Sequence, residues 1–170
     1  MQILEPWIRA AARPRVFFVL GAVTVVFLAV FLAVLAPAIA LVAGSPPPDV
    51  LVAQLPEDFF AWLRSGGEQV RYLYGRFLIA DTFFPVVYAL FLGGWLYRLE
   101  PATRLWRLPV WAAVCDYIEN LIHAALLWSF PAEPQWLAWF ALVATLLKWV
   151  LVVLTLLAIM ARSFARRSAG

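Results

Sequence analysis

Charge is scarce in this chain: only 14% of its 170 residues are Asp, Glu, Lys or Arg, while 65% are apolar. Soluble domains run nearer 25% charged and 45–50% apolar, so a mean hydropathy of +0.89 excludes a chain wrapped round one water-soluble core. Cysteine is almost absent. Cys115 stands alone, so no intrachain disulfide can form and the redox compartment is left open. Histidine is equally rare, with His123 the single example, which leaves little for haem ligation. Repeats, Gly/Ser linkers and long like-charge runs are missing too, and residues 1–170 read as a single transmembrane domain. The net charge is +3, but the arginines occur in short clusters beside apolar runs, the pattern of membrane-facing loops and not of a nucleic-acid groove. Nucleic acid is therefore excluded as a partner, and the lipid bilayer is the expected one.

What is present is long apolar runs. A hydrocarbon core about 30 Å thick needs about 20 apolar residues at about 1.5 Å each. Four segments reach that length, at about 16–43, 77–97, 108–130 and 135–160. They predict an all-α integral membrane four-helix bundle. The first segment is longer than a crossing needs and carries Pro37, the expected bend. A signal peptide cut near Ala38-Ile39-Ala40 is the alternative, but the apolar stretch of such a peptide is typically about 7–15 residues.

Nine arginines would share one side: Arg9, Arg13, Arg15, Arg98, Arg104, Arg107, Arg162, Arg166 and Arg167. Arg64, Arg71 and Arg76 fall on the other, among Asp49, Glu57, Asp58, Glu68 and Glu133. That bias predicts both termini in the cytoplasm, in a multi-pass protein of the bacterial inner (cytoplasmic) membrane. The outer loop, 44–76, begins extended at Ser45-Pro46-Pro47-Pro48 and then shows a helix start at Leu55-Pro56-Glu57-Asp58. With Phe59, Phe60, Trp62 and Leu63 following, it predicts a short helix lying in the interface, or else a lid over an opening between the spans. Ile3, Leu4, Trp7 and Ile8 predict a similar anchor at the inner surface, and Trp7, Trp95, Trp106, Trp128 and Trp136 an interface belt.

The informative residues are the ionisable ones inside the spans. Asp116, Glu119, Asn120 and His123 fall at i, i+3, i+4 and i+7, one face of a helix. Tyr74, Asp81, Tyr88 and Trp95 recur every seven residues in span two, and span four carries Lys148 with Thr145 one turn away. Pro85 cannot donate to the carbonyl of Asp81, which leaves a free carbonyl beside that carboxylate. By rise per residue, Asp116, Glu119, Tyr88 and Lys148 lie about 16–21 Å deep, His123 about 10 Å and Asp81 about 6 Å. The expected pairs are Lys148 with Asp116 or Glu119, His123 with Asp81, and Tyr88 with Glu119. Each central Asp or Lys left alone would cost about 2.5–3.5 kcal/mol, so a network is expected.

Several chemistries could use such a network. Asp81, His123, Glu119 and Asp116 in sequence would make a proton or ion pathway. A metal site could draw on Asp116, Glu119 and His123 with Asp81, but the spacing fits no established bundle motif, and no metal or other cofactor is expected. Nucleophilic catalysis is disfavoured because Cys115 lies off the polar face and the cluster holds no serine. A pocket for a lipid-like or amphipathic small molecule fits better: Asp81, Tyr88, Asn120 and Lys148 would bind it, and Glu119, Asp116 and His123 would supply acid–base, isomerase-type catalysis. The rival reading is an accessory or scaffold subunit whose stripe docks another membrane protein or a second copy in a homodimer.

The segments Asp81-Thr82-Phe83-Phe84-Pro85-Val86-Val87-Tyr88 and Asp116-Tyr117-Ile118-Glu119-Asn120 resemble a pattern of bacterial four-span membrane proteins. More remotely, the four-span layout and the acid, Phe-Phe-Pro, Tyr order resemble the EXPERA group, which includes the emopamil-binding sterol isomerase and the sigma-2 receptor. That resemblance covers about residues 75–130 and implies a cavity opening sideways to lipid, with acids gripping an amine or a carbocation-like centre. The isomerase's His-x-x-x-Glu order stands reversed here as Glu119 to His123, and span one carries no acid.

Overall fold

The computed structural model describes residues 2–50 and 54–168, and among them the chain is helical with no strand. In order come α1 (Glu5–Ala11), α2 (Pro14–Val30), α3 (Ala36–Ala43), α4 (Pro56–Ser65), α5 (Gly67–Asp81), α6 (Phe84–Leu99), α7 (Arg107–Ser129) and α8 (Gln135–Ser168). Four stretches are long and apolar enough to cross a membrane: Pro14–Ala43, Gly67–Leu99, Arg107–Ser129 and Gln135–Ser168. The second begins at Gly67, not Phe77, and the fourth runs on to Ser168, so polar turns of helix extend the apolar crossings. Arg166 and Arg167 in the last turn of α8 suit the negative end of its dipole.

A wide turn stands just before Pro37, the residue at which a bend is expected. Residues Phe31–Leu35 form a wide turn joining α2 to α3, in which the N–H of Ala36 reaches back five residues to the carbonyl of Phe31. Phe31 is thereby turned inward, 4.9 Å from Phe77 and 5.6 Å from Phe84 between ring centres. Helix α7 packs along α8 and α6, and α2 packs on α6. Ala138, Ala141 and Ala144 are buried on α8, and small side chains of this kind let helices approach closely without a hydrophobic force from lipid.

The apolar face of the outer-loop helix is covered by protein. Phe59, Phe60, Trp62 and Leu63 of α4 are all buried, packed in one cluster with Val70, Tyr74, Phe77, Leu126 and Ala138. Gly66 alone separates α4 from α5, and Gly67 at φ +58° makes the turn between them, a conformation that glycine adopts readily. Trp62 Nε1 donates to the carbonyl of Ser45 at 3.2 Å, and Arg64 pairs with Glu133 in the turn between α7 and α8. This helix is a cap.

At the opposite end, Ile8 and Ala11 of α1 are buried against α6, while Ile3 and Trp7 stay exposed. Gly94 makes this approach possible, since a Cβ there would lie 3.0 Å from the carbonyl carbon of Ala11. Trp106 is not a belt residue: it is 3% exposed and packs with Ile8, Leu96 and Ile159, because the turn before α7 folds it under α1. Arg9 Nε donates to Tyr97 Oη at 3.1 Å, Arg98 Nη1 to the carbonyl of Ala12 at 2.8 Å, and Arg162 pairs with Glu100 at 2.7 Å. These contacts gather the start of α2 and the ends of α6 and α8 at one arginine-rich end.

Candidate functional site

Helical periodicity brings Asp116, Glu119, Asn120 and His123 onto one buried stripe of α7, but neighbouring helices divide it into two environments. The inner one faces α8 and α6. Lys148 Nζ lies 3.1 Å from Asp116 Oδ1 and 2.5 Å from Glu119 Oε2, the second an ion pair away from ideal hydrogen-bond alignment. Thr145 Oγ1 is 2.8 Å from Glu119 Oε1 and 3.0 Å from the carbonyl of Ala141; with one proton it serves one of them at a time. Tyr88 Oη donates to Asp116 Oδ2 at 3.1 Å. Tyr88 thus meets Asp116, not Glu119, because Glu119 is turned toward α8 and is 0% exposed. Both Lys148 pairings occur at once. Such a cluster is a clamp joining α6, α7 and α8.

The outer environment is built round a break in span two. Helix α5 ends at Asp81 and α6 starts at Phe84 with Pro85 in its first turn, as expected where a proline deprives the preceding turn of a donor. Asn120 Nδ2 donates to Asp81 Oδ2 at 2.8 Å. The exposed Thr82 carbonyl accepts from Tyr117 Oη at 2.7 Å, and Thr82 Oγ1 donates back to Leu78 at 3.0 Å. Tyr117 was not singled out by spacing; the signal for it was the broken helix, whose loosened backbone calls for a side-chain donor. The His123 ring is placed under the cap, stacked on Phe59 at 5.3 Å and 6.0 Å from Tyr74.

The chain matches no family model, no curated protein and no solved structure. Its chemistry must be read from its cavities. An open groove of about 490 Å³ lies between α5 and α7, walled by Leu78, Ile79, Leu121 and Leu127, with Asn120, Tyr117 and Thr82 among its lining. Asn120 Oδ1 is buried without a hydrogen-bond partner. A small cavity of about 20 Å³ lies beneath α4 beside His123 and Thr145, room for about one water. Asp116, Glu119, Lys148 and Tyr88 line neither of these. Among the described residues no three His, Cys, Asp or Glu side chains are grouped to hold a metal. Cys115 is half-buried and carries a free thiol.

Proposed function

We propose that this is a multi-pass protein of the bacterial cytoplasmic membrane, both termini inside, that binds a lipid-like molecule bearing a small hydrogen-bond-donating head. The observation that carries the reading is Asn120. Its Nδ2 is committed to Asp81, while its buried Oδ1 lacks a partner at a groove with otherwise mostly apolar walls. A buried acceptor left unmade costs about 1–3 kcal/mol, and a ligand hydroxyl or amine would recover that once a small shift of the Asn120 side chain opens its Oδ1 to the groove. The groove is open on one side, and apolar walls with a few convergent polar groups are the general make-up of a small-molecule site. The sideways cavity implied by the EXPERA resemblance points the same way.

On this reading Asp81 orients the Asn120 amide, and the acid–base role considered for Glu119, Asp116 and His123 gives way to binding, since none of the three lines the groove. The scaffold alternative keeps one supporting observation: the Lys148 clamp satisfies itself without a ligand. The test uses a matched pair of probes in liposomes, diazirine-bearing octadecanol and diazirine-bearing octadecane. Octadecanol should label peptides around Tyr117, Leu121 and Ala124 in preference to octadecane, by about tenfold if one buried hydrogen bond is at stake. Asn120→Leu should abolish that preference, and Ala124→Phe, which fills the groove from its exposed rim, should abolish labelling. Equal labelling by both probes in the wild type would overturn the proposal in favour of a structural stripe.

A further inference from the structure

A second groove lies at the arginine-rich end, far from Asn120, between the start of α2 and the end of α6 with the last turns of α8 beside it. Its volume is about 620 Å³, within the range of small-molecule sites. Phe17, Phe91 and Trp95 form its aromatic wall, with ring centres 5.1–5.8 Å apart, and Gly21 and Ala22 leave its floor low. Two cations stand on its lining, Arg98 from α6 and Arg166 from α8.

The charge there is not balanced internally. Among the described residues of this end, Arg9 pairs with Glu5 and Arg162 with Glu100, so both acids are taken. Arg98 and Arg166 pair with no carboxylate among the described residues. Arg98 is held in position all the same, because its Nη1 donates to the Ala12 carbonyl and its guanidinium lies 5.0 Å over the Phe17 ring. A guanidinium has five N–H donors, so most remain to meet an anion. Two arginines on the lining of a mostly apolar trough suit a phosphate carrying hydrocarbon, since guanidinium groups bind phosphate bidentately and the trough takes the tail.

We propose that this groove binds one anionic phospholipid, its phosphate between Arg98 and Arg166 and an acyl chain along Ala22, Phe91 and Trp95. Bound lipid would add to the side-chain contacts that already join α2, α6 and α8 at this end. The site is independent of the Asn120 groove.

Native mass spectrometry of the detergent-purified protein with dioleoylphosphatidylglycerol or dioleoylphosphatidylcholine tests this. Wild type should retain one phosphatidylglycerol at least about tenfold more strongly than phosphatidylcholine, the scale of one charge-assisted contact. Arg166→Gln should remove most of that preference. Because Arg98 also holds α1, Ala22→Trp serves as the second variant: it fills the trough from an exposed position with both arginines intact, and retention should fall as far. Arg104→Gln, an exposed arginine of the same end outside the groove, should change nothing. Equal retention of the two lipids, or a loss in Arg104→Gln as large as in Arg166→Gln, would overturn the site in favour of diffuse charge. Displacement of phosphatidylglycerol by equimolar glycerol 3-phosphate would overturn the lipid assignment in favour of a headgroup-sized anion.

Discussion

Glu119 and Asn120 are neighbours in the chain and both are buried, yet they sit in opposite kinds of surroundings. Glu119 has Thr145 at one oxygen and Lys148 at the other, wholly enclosed by helix. Asn120 spends its amide nitrogen on Asp81 and leaves its oxygen buried without a partner beside an open groove. The contrast follows from what each faces across the helix. Toward α8 a continuous helix with small side chains comes close and brings a cation; toward α5 the span is broken and α7 meets a gap. Ionisable groups persist at depth where neighbouring helices satisfy them, and binding capacity is left where they do not.

The largest effect should come from the clamp. Lys148→Met strands two carboxyls in a sealed site, and removing one partner of a buried pair costs about 3–5 kcal/mol. Thermal unfolding in detergent should show a large loss, part of which Glu119→Gln restores in the double variant. Wild-type stability in Lys148→Met would erase the distinction between the two halves. Tyr88→Phe is the next step down. It withdraws a hydrogen bond from Asp116, a carboxyl already facing Lys148, and should cost about 1.5–3 kcal/mol in the same measurement.

Smaller still is Tyr117→Phe on the groove side, where the Thr82 carbonyl loses its donor at an exposed break. About 1 kcal/mol is expected, with faster hydrogen exchange in residues 82–84 as the local signature. An effect equal to that of Tyr88→Phe would mean that the break is clamped as firmly as the inner cluster. Ala124→Phe should hardly move stability, within about 0.5 kcal/mol, because the ring enters open space at an exposed position. A loss as large as that of the clamp variants would show that the groove closes as core, and the comparison would fail.

Particular residues show how far periodicity reaches. Asp116, Glu119, Asn120 and His123 were legible as one face because helical spacing is local. The meeting of Lys148 with Asp116 or Glu119 was legible because depth along a crossing follows from counting residues, whereas its meeting both at once was not. Azimuth does not follow from counting. Tyr88 and Glu119 share a depth, but rotation about the helix axes gives Tyr88 to Asp116. Phe59, Phe60, Trp62 and Leu63 read equally well as an interfacial surface or a lid, since an apolar helix face is indifferent to whether lipid or protein covers it. Trp106 looked like a belt residue by its position at a span end, and only the fold of α1 over it put it in the core.

By itself, then, the order of residues determined everything that depends on distance along the chain. That comprises four stretches long enough to cross a bilayer, the interruptions at Pro37 and Pro85, the arginine bias and the polar stripe. The tertiary structure alone decided which way α4 turns, which oxygen meets which donor, and where a gap remains between α5 and α7. These depend on helix rotation and closeness of approach, set by Gly67, Gly94 and the alanines of α8 acting across elements far apart in sequence. Rise per residue is a property of every helix, whereas packing belongs to one arrangement of them.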